Sequence, residues 1–120
     1  MSTFDNAVSI HPYFKIHEGQ MEACKSFLAR FNELVANEEK CLYYNFTFKG
    51  DVLFCREAYK DAEGVQAHLE NCGELLGEFL KIADVLRVEL HGPADVLEEL
   101  KPTFVDFNPD YYICECGIGR

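Results

Sequence analysis

Two runs of alternating side chains, joined by a two-residue turn signal, constrain this chain more than any other feature. In Cys41–Lys49 (CLYYNFTFK), Leu42, Tyr44, Phe46 and Phe48 fall on one face and Cys41, Tyr43, Asn45 and Thr47 on the other. Val52–Tyr59 (VLFCREAY) follows at once, with Cys55, Glu57 and Tyr59 sharing a face. Period-two alternation marks strands. Gly50-Asp51 between them is a tight-turn signal, so the two runs are expected to pair as an antiparallel hairpin.

The flanking periodicities build on that hairpin. Residues 8–17 alternate as a first strand, with Val8, Ile10, Phe14 and Ile16 on one side and Ser9, His11, Tyr13, Lys15 and His17 on the other. After Glu18-Gly19, Met21, Cys24, Phe27, Leu28, Phe31, Leu34 and Val35 recur at three- and four-residue spacing, which predicts an amphipathic helix to about Asn37, closed by polar "ANEEK". Asp61 is placed to cap a second helix. Its stripe is Val65, His68, Leu69, Cys72, Leu75, Leu76, Phe79 and Leu80. Gly73 and Gly77 each cost about 1 kcal/mol in a helix interior relative to alanine, and Asn71-Cys72-Gly73 resembles a helix stop. A kink, or two successive helices, is therefore expected near Gly73. A fourth strand, Val85 to His91, ends at Gly92-Pro93. A short helix from about Ala94 to Lys101 and a last strand around Tyr111 to Cys116 complete the chain. The expected fold class is α+β: a ferredoxin-like βαββαβ unit with a C-terminal extension of one short helix and one strand. We expect one domain, with its core at about 8–92 and the extension at 93–120.

Composition removes several function classes. The chain has 120 residues and a formal net charge of −10, and its eleven Lys and Arg are scattered. Nucleic-acid binders cluster such residues to neutralise phosphates, so no nucleic-acid partner is expected. No apolar run is long enough to span a membrane. The start "MSTFDNAVSIHPYFK" has neither a basic segment nor an apolar leader core, so the expected location is cytoplasmic. The six cysteines lack any Cys-x-x-Cys spacing and sit mostly in apolar periodic segments, as reduced, core-filling cysteines do. Helices would cover one face of the sheet only, yet both strand faces carry aromatic or aliphatic side chains. A second copy of the chain is the simplest cover, so a homodimer is expected.

Three stretches, "HEGQMEACKSF", "EEKCLYYNFTF" and "EAYKDAEGVQAHL", resemble in order and spacing the antibiotic-biosynthesis-monooxygenase-like (ABM-like) domains. Lys40 stands where that family usually has glycine, and Tyr59 where it usually has tryptophan. The likeness covers about residues 10–91 and leaves the tail unexplained. It implies a dimeric α+β barrel in which each protomer carries a pocket between its helices and its own sheet. It also implies a cofactor-independent monooxygenase acting on a small phenolic or quinol-type substrate. The alternative is a non-catalytic homodimer of the same fold that binds a small ligand or serves a stress or regulatory role.

Such an oxygenase needs a substrate that becomes reducing once deprotonated, and a base to deprotonate it. His68 is the candidate base, because an imidazole accepts a proton near neutral pH. Tyr59 and Glu57, on one face of the third strand, and Cys72, one turn beyond His68, are the candidate ligand-binding residues. The competing reading makes His68 a hydrogen-bonded core residue, pairs Glu57 with Arg56, Lys60 or a cross-strand neighbour, and makes Tyr59 a packing residue with its hydroxyl at the rim. Cys114 and Cys116 share a strand face, and His68 with Cys72 forms the only ready ligand pair. Without metal-site spacing, no metal is expected. The lack of tryptophan argues against the haem chemistry of related proteins, and no other cofactor is expected.

Overall fold

A computed structural model describes residues 5–119; the reading of the N-terminus as leaderless begins outside them. The elements are β1 (Val8–Ile16), α1 (Met21–Val35), β2 (Cys41–Lys49), β3 (Val52–Tyr59), α2 (Ala62–Phe79), β4 (Ala83–Gly92), α3 (Ala94–Leu100) and β5 (Asp110–Ile113), with a 3₁₀ turn at Val105–Phe107. They form one sheet of order β2-β3-β1-β4-β5. The first four strands pair antiparallel, which is the ferredoxin-like arrangement the sequence predicts. The β2–β3 hairpin closes on the Lys49–Val52 pair, with Gly50 at a φ of 59° in the left-handed region open to glycine.

The helix α2 is capped by Asp61, whose carboxylate accepts from the Gly64 backbone N–H at 2.8 Å. It runs unbroken through Gly73, against the expected kink. The reason is the buried stripe: Cys72, Leu75 and Phe79 continue it past the glycine at 2%, 5% and 2% exposure. Burying a Leu or Phe is worth about 1.5–3 kcal/mol, which outweighs about 1 kcal/mol per helical glycine. The last strand is also shorter than expected. Cys114 N–H still donates to Gly92 O at 2.8 Å, but the chain then leaves the sheet. Because α3 carries the chain back across, β5 lies parallel to β4.

The core faces the helices and is divided. One apolar cluster joins Val8, Ile10, Val65, Leu90, Leu97 and Phe104, among others. A second joins Phe14, Phe31, Leu53, Cys72, Leu75 and Phe79, among others. On the opposite sheet face, Ser9, His11, Tyr13 and Phe54 are only half-buried. There the His11 ring lies 4.5 Å from His91 and 5.9 Å from Phe54, and Arg56 sits over the Tyr43 ring.

Candidate functional site

The gap between the two apolar clusters is a cavity of about 70 Å³ whose walls include Ile10, Val88 and Phe104 on one side and Phe14, Leu53 and Phe79 on the other. Its polar groups come from β3 and α2. Alternation along β3 turns Cys55 and Glu57 inward, and the α2 stripe brings His68 and Cys72 down to meet them.

His68 is held at both ring nitrogens. Nδ1 lies 3.0 Å from both carboxylate oxygens of Glu38, in the connection between α1 and β2. Nε2 lies 3.4 Å from Glu57 Oε1. Two tyrosine rings flank the imidazole, Tyr59 at 5.0 Å and Tyr44 at 5.5 Å between centroids. Glu38 also accepts from Asn71 Nδ2 at 2.8 Å and lies 3.7 Å from the Cys72 thiol, so residues 68, 71 and 72 of α2 all converge on one carboxylate. Since a carboxylate only accepts, this pattern assigns a hydrogen to Nδ1. In the neutral ring Nε2, which faces Glu57, then carries the lone pair.

Glu57 is 5% exposed, and its Oε1 accepts from the Tyr59 hydroxyl at 2.8 Å. Burial raises its pKa above the ordinary carboxylate value, opposed by His68 and by the hydrogen bonds from Tyr59 and Cys55. Burial also raises the Tyr59, Tyr44 and Cys55 groups, which keeps them protonated at neutral pH. Burial and the Glu38 charge push the Cys72 thiol up to about 12. A thiol that stays protonated is a poor nucleophile, so Cys72 contributes volume and a weak hydrogen bond rather than covalent chemistry. Among the described residues, no buried side-chain nitrogen or oxygen lacks a partner.

Three of the four residues singled out from the sequence, Glu57, His68 and Cys72, face the cavity. Tyr59 does not. It is fully buried behind Glu57, with its hydroxyl turned inward instead of at the rim. Alternation along β3 puts Tyr59 on the inner face with Cys55 and Glu57, and the first turn of α2 closes over it: a Cβ added at Gly64 would lie 3.3 Å from the Tyr59 Cβ and 2.9 Å from the Lys40 Cβ. Lys40 meanwhile bridges Asp61 at 3.0 Å and Glu63 at 3.3 Å, tying β2 to the start of that helix. Glu57 pairs with Tyr59 and His68, not with Arg56 or Lys60. Sequence reasoning missed Glu38, which lies in a charged turn 30 residues from its partner and carries no local signal. It also missed Phe104 and Phe107, which the C-terminal extension adds to the cavity wall.

Glu38, His68 and Cys72 are the group of donor atoms, all within 4.8 Å of one another, that could hold a metal among the described residues. The same atoms also hydrogen-bond one another, His68 Nδ1 and the Cys72 thiol both meeting the Glu38 carboxylate. Cys114 and Cys116 are exposed and border a separate surface hollow with Ser9, His91 and Tyr112.

A ferredoxin-like sheet with helices on one face is the fold of the ABM-like class, and this chain has that fold. The chain belongs to the family of MupZ. It is 37% identical to MupZ from Pseudomonas fluorescens, whose crystal structure it matches with a TM-score of 0.92 over 97% of this chain and 91% of that one. More distant structures share the fold. SnoaB from Streptomyces nogalater, a cofactor-independent oxygenase solved in a mutant form, is 14% identical with a TM-score of 0.62, over 71% of this chain and 90% of that chain. A candidate antibiotic biosynthesis monooxygenase from Chloroflexus aurantiacus is also 14% identical, with a TM-score of 0.62 over 74% and 94%. No family model matches the chain. No curated protein matches it either.

Proposed function

We propose that this chain is an enzyme that performs general acid–base catalysis on a small, largely apolar molecule held between its helices and its sheet. The observation that carries this reading is the buried row Glu38–His68–Glu57, of which His68 and Glu57 line the cavity. Glu38 fixes the imidazole, Nε2 accepts the substrate proton, and Glu57, a carboxyl raised by burial, returns one. With a phenol or quinol as substrate, proton removal leaves an electron-rich anion that O₂ oxidises, one oxygen atom entering the substrate and the other leaving as water, which is the cofactor-independent monooxygenase reading; SnoaB, a fold relative, is described as a cofactor-independent oxygenase. A second reading is a redox-neutral proton relocation, an isomerisation in which the proton taken from one atom of the substrate is returned to another. It is favoured by the presence of an acid, Glu57, beside the base.

One experiment separates them. The protein is incubated in D₂O with a panel of naphthoquinols, phenols and enolisable ketones, following O₂ uptake at an electrode and deuterium incorporation by NMR. Uptake points to the oxygenase, and incorporation without uptake to redox-neutral chemistry. Both are expected to vanish in His68→Ala. Equal rates in that variant would remove His68 from the mechanism.

We infer further that a second copy covers the open sheet face. Half-buried His11, Tyr13 and Phe54, with exposed Tyr43 and Tyr112 beside them, form an aromatic surface edged by Arg56, Arg87 and Glu89, which suits self-association. Light scattering at micromolar concentration is expected to give twice the 13.7 kDa chain mass; a monomer mass would defeat the inference.

A further inference from the structure

Gly73 has no structural reason to be glycine. A Cβ built there, as at Gly77 in the same helix, meets nothing within 4 Å, whereas one at Gly64 would sit 2.9 Å from the Lys40 Cβ and one at Gly92 3.3 Å from the Ala7 carbonyl oxygen; of the two open positions in α2, Gly73 is the one that borders the cavity. Its backbone is helical, and the positive φ values among the described glycines belong to Gly19 and Gly50. A glycine in mid-helix costs stability relative to alanine, and here neither packing nor conformation asks for it.

Its position supplies a reason. Gly73 is exposed, yet it borders the same cavity as Glu57 and His68. Half-buried Leu69 and Leu76 flank it on α2, while Val85, 38% exposed, and Phe107 stand on the facing wall. This is where the cavity meets solvent. The cavity itself, at about 70 Å³, has room for on the order of five water-sized groups. Any larger molecule that reaches Nε2 must project through this opening.

We propose that Gly73 is the threshold of the cavity, kept bare so that the body of the ligand can lie against the α2 backbone. The proposal deepens the acid–base reading and rests on this cavity being the substrate site. It also sets the ligand class. Glu57 and His68 are the ionisable carboxyl and imidazole at the inner end, and the passage past Leu69, Leu76, Val85 and Phe107 carries no charged group. The ligand is therefore an uncharged molecule with an oxygen-bearing inner end and an apolar body that leads outward past residue 73.

The test uses the fluorescent apolar probe N-phenyl-1-naphthylamine on the full chain, because the probe reports binding without turnover. Wild type is expected to enhance its fluorescence, and Gly73→Phe to weaken the affinity by about tenfold or more, the loss expected when a ring is displaced from an apolar site. Gly77→Phe, one turn further along and outside the cavity wall, should bind like wild type. Gly73→Ala should melt at a higher temperature than wild type, which shows that the fold does not need the glycine. Equal probe affinity in wild type and Gly73→Phe overturns the proposal, as does no enhancement with wild type. Failure of the acid–base reading is distinct: it shows as unchanged turnover in His68→Ala, whose passage past residue 73 is intact.

Discussion

Replacing Glu57 by glutamine is expected to give a protein that is more stable than wild type at neutral pH and slower by about 10²- to 10⁴-fold, the span of a lost general acid or base. Glutamine keeps the shape and still offers a carbonyl oxygen to the Tyr59 hydroxyl, which now donates to Glu57 at 2.8 Å. What it removes is a carboxyl whose pKa burial raises in the folded state. The sign of the stability change follows. Between the ordinary carboxylate value of the unfolded chain and the raised folded value, the folded protein holds a proton that the unfolded chain has released. Stability contributed by this group is therefore fully present below the unfolded value and declines as pH rises through the window. Glutamine cannot ionise and escapes the decline. Thermal melts of both proteins from about pH 4 to about pH 8 should diverge as pH rises and then run parallel. Curves parallel throughout would mean that Glu57 keeps an ordinary pKa, and unaltered turnover would take it out of the reaction.

Phe79→Ala is expected to produce the largest loss of stability, about 3–5 kcal/mol. The ring is 2% exposed and meets three others nearly edge-on, Phe14 at 5.2 Å, Phe27 at 5.6 Å and Phe31 at 6.0 Å. Such contacts add to simple area burial. Truncation leaves a void that ordered strands and a helix cannot collapse to fill. Domains are stable by about 5–15 kcal/mol, so the change removes a large share of the whole. Urea unfolding should show the midpoint fall with an unchanged slope. A loss under about 1 kcal/mol would show that neighbouring rings repack into the space.

The fold was legible in the sequence where one periodicity ran unopposed. The β2–β3 hairpin, the Asp61 cap and the βαββαβ order all rest on local patterns that the structure keeps. Legibility failed where two signals competed or where the partner was remote. At Gly73 a local stop signal opposed the stripe that continues through Leu75 and Phe79, and the burial of those side chains decided the outcome. The parallel pairing of β5 depends on how α3 crosses the sheet, which no local pattern encodes.

The candidate site divides in the same way. Alternation in β3 and the stripe of α2 point Glu57, His68 and Cys72 toward one another. The inward turn of the Tyr59 hydroxyl and the arrival of Glu38 depend on tertiary approach. Glu38 in particular sits in the charged run Glu38-Glu39-Lys40, which by itself reads as a solvated turn.

The divided core has a consequence for how such a protein can change. The two apolar halves lie on either side of the acid–base row, and that row is anchored by β3, α2 and the turn before β2. Phe104 and Val88 belong to one half and Phe31, Phe46 and Phe79 to the other, so a change of side-chain size at one end of the cavity is expected to leave the other in place. The reacting groups then stay in place while the outline of the accepted molecule is recut one end at a time. Under the acid–base proposal, a scaffold built in this way separates the choice of substrate from the chemistry performed on it.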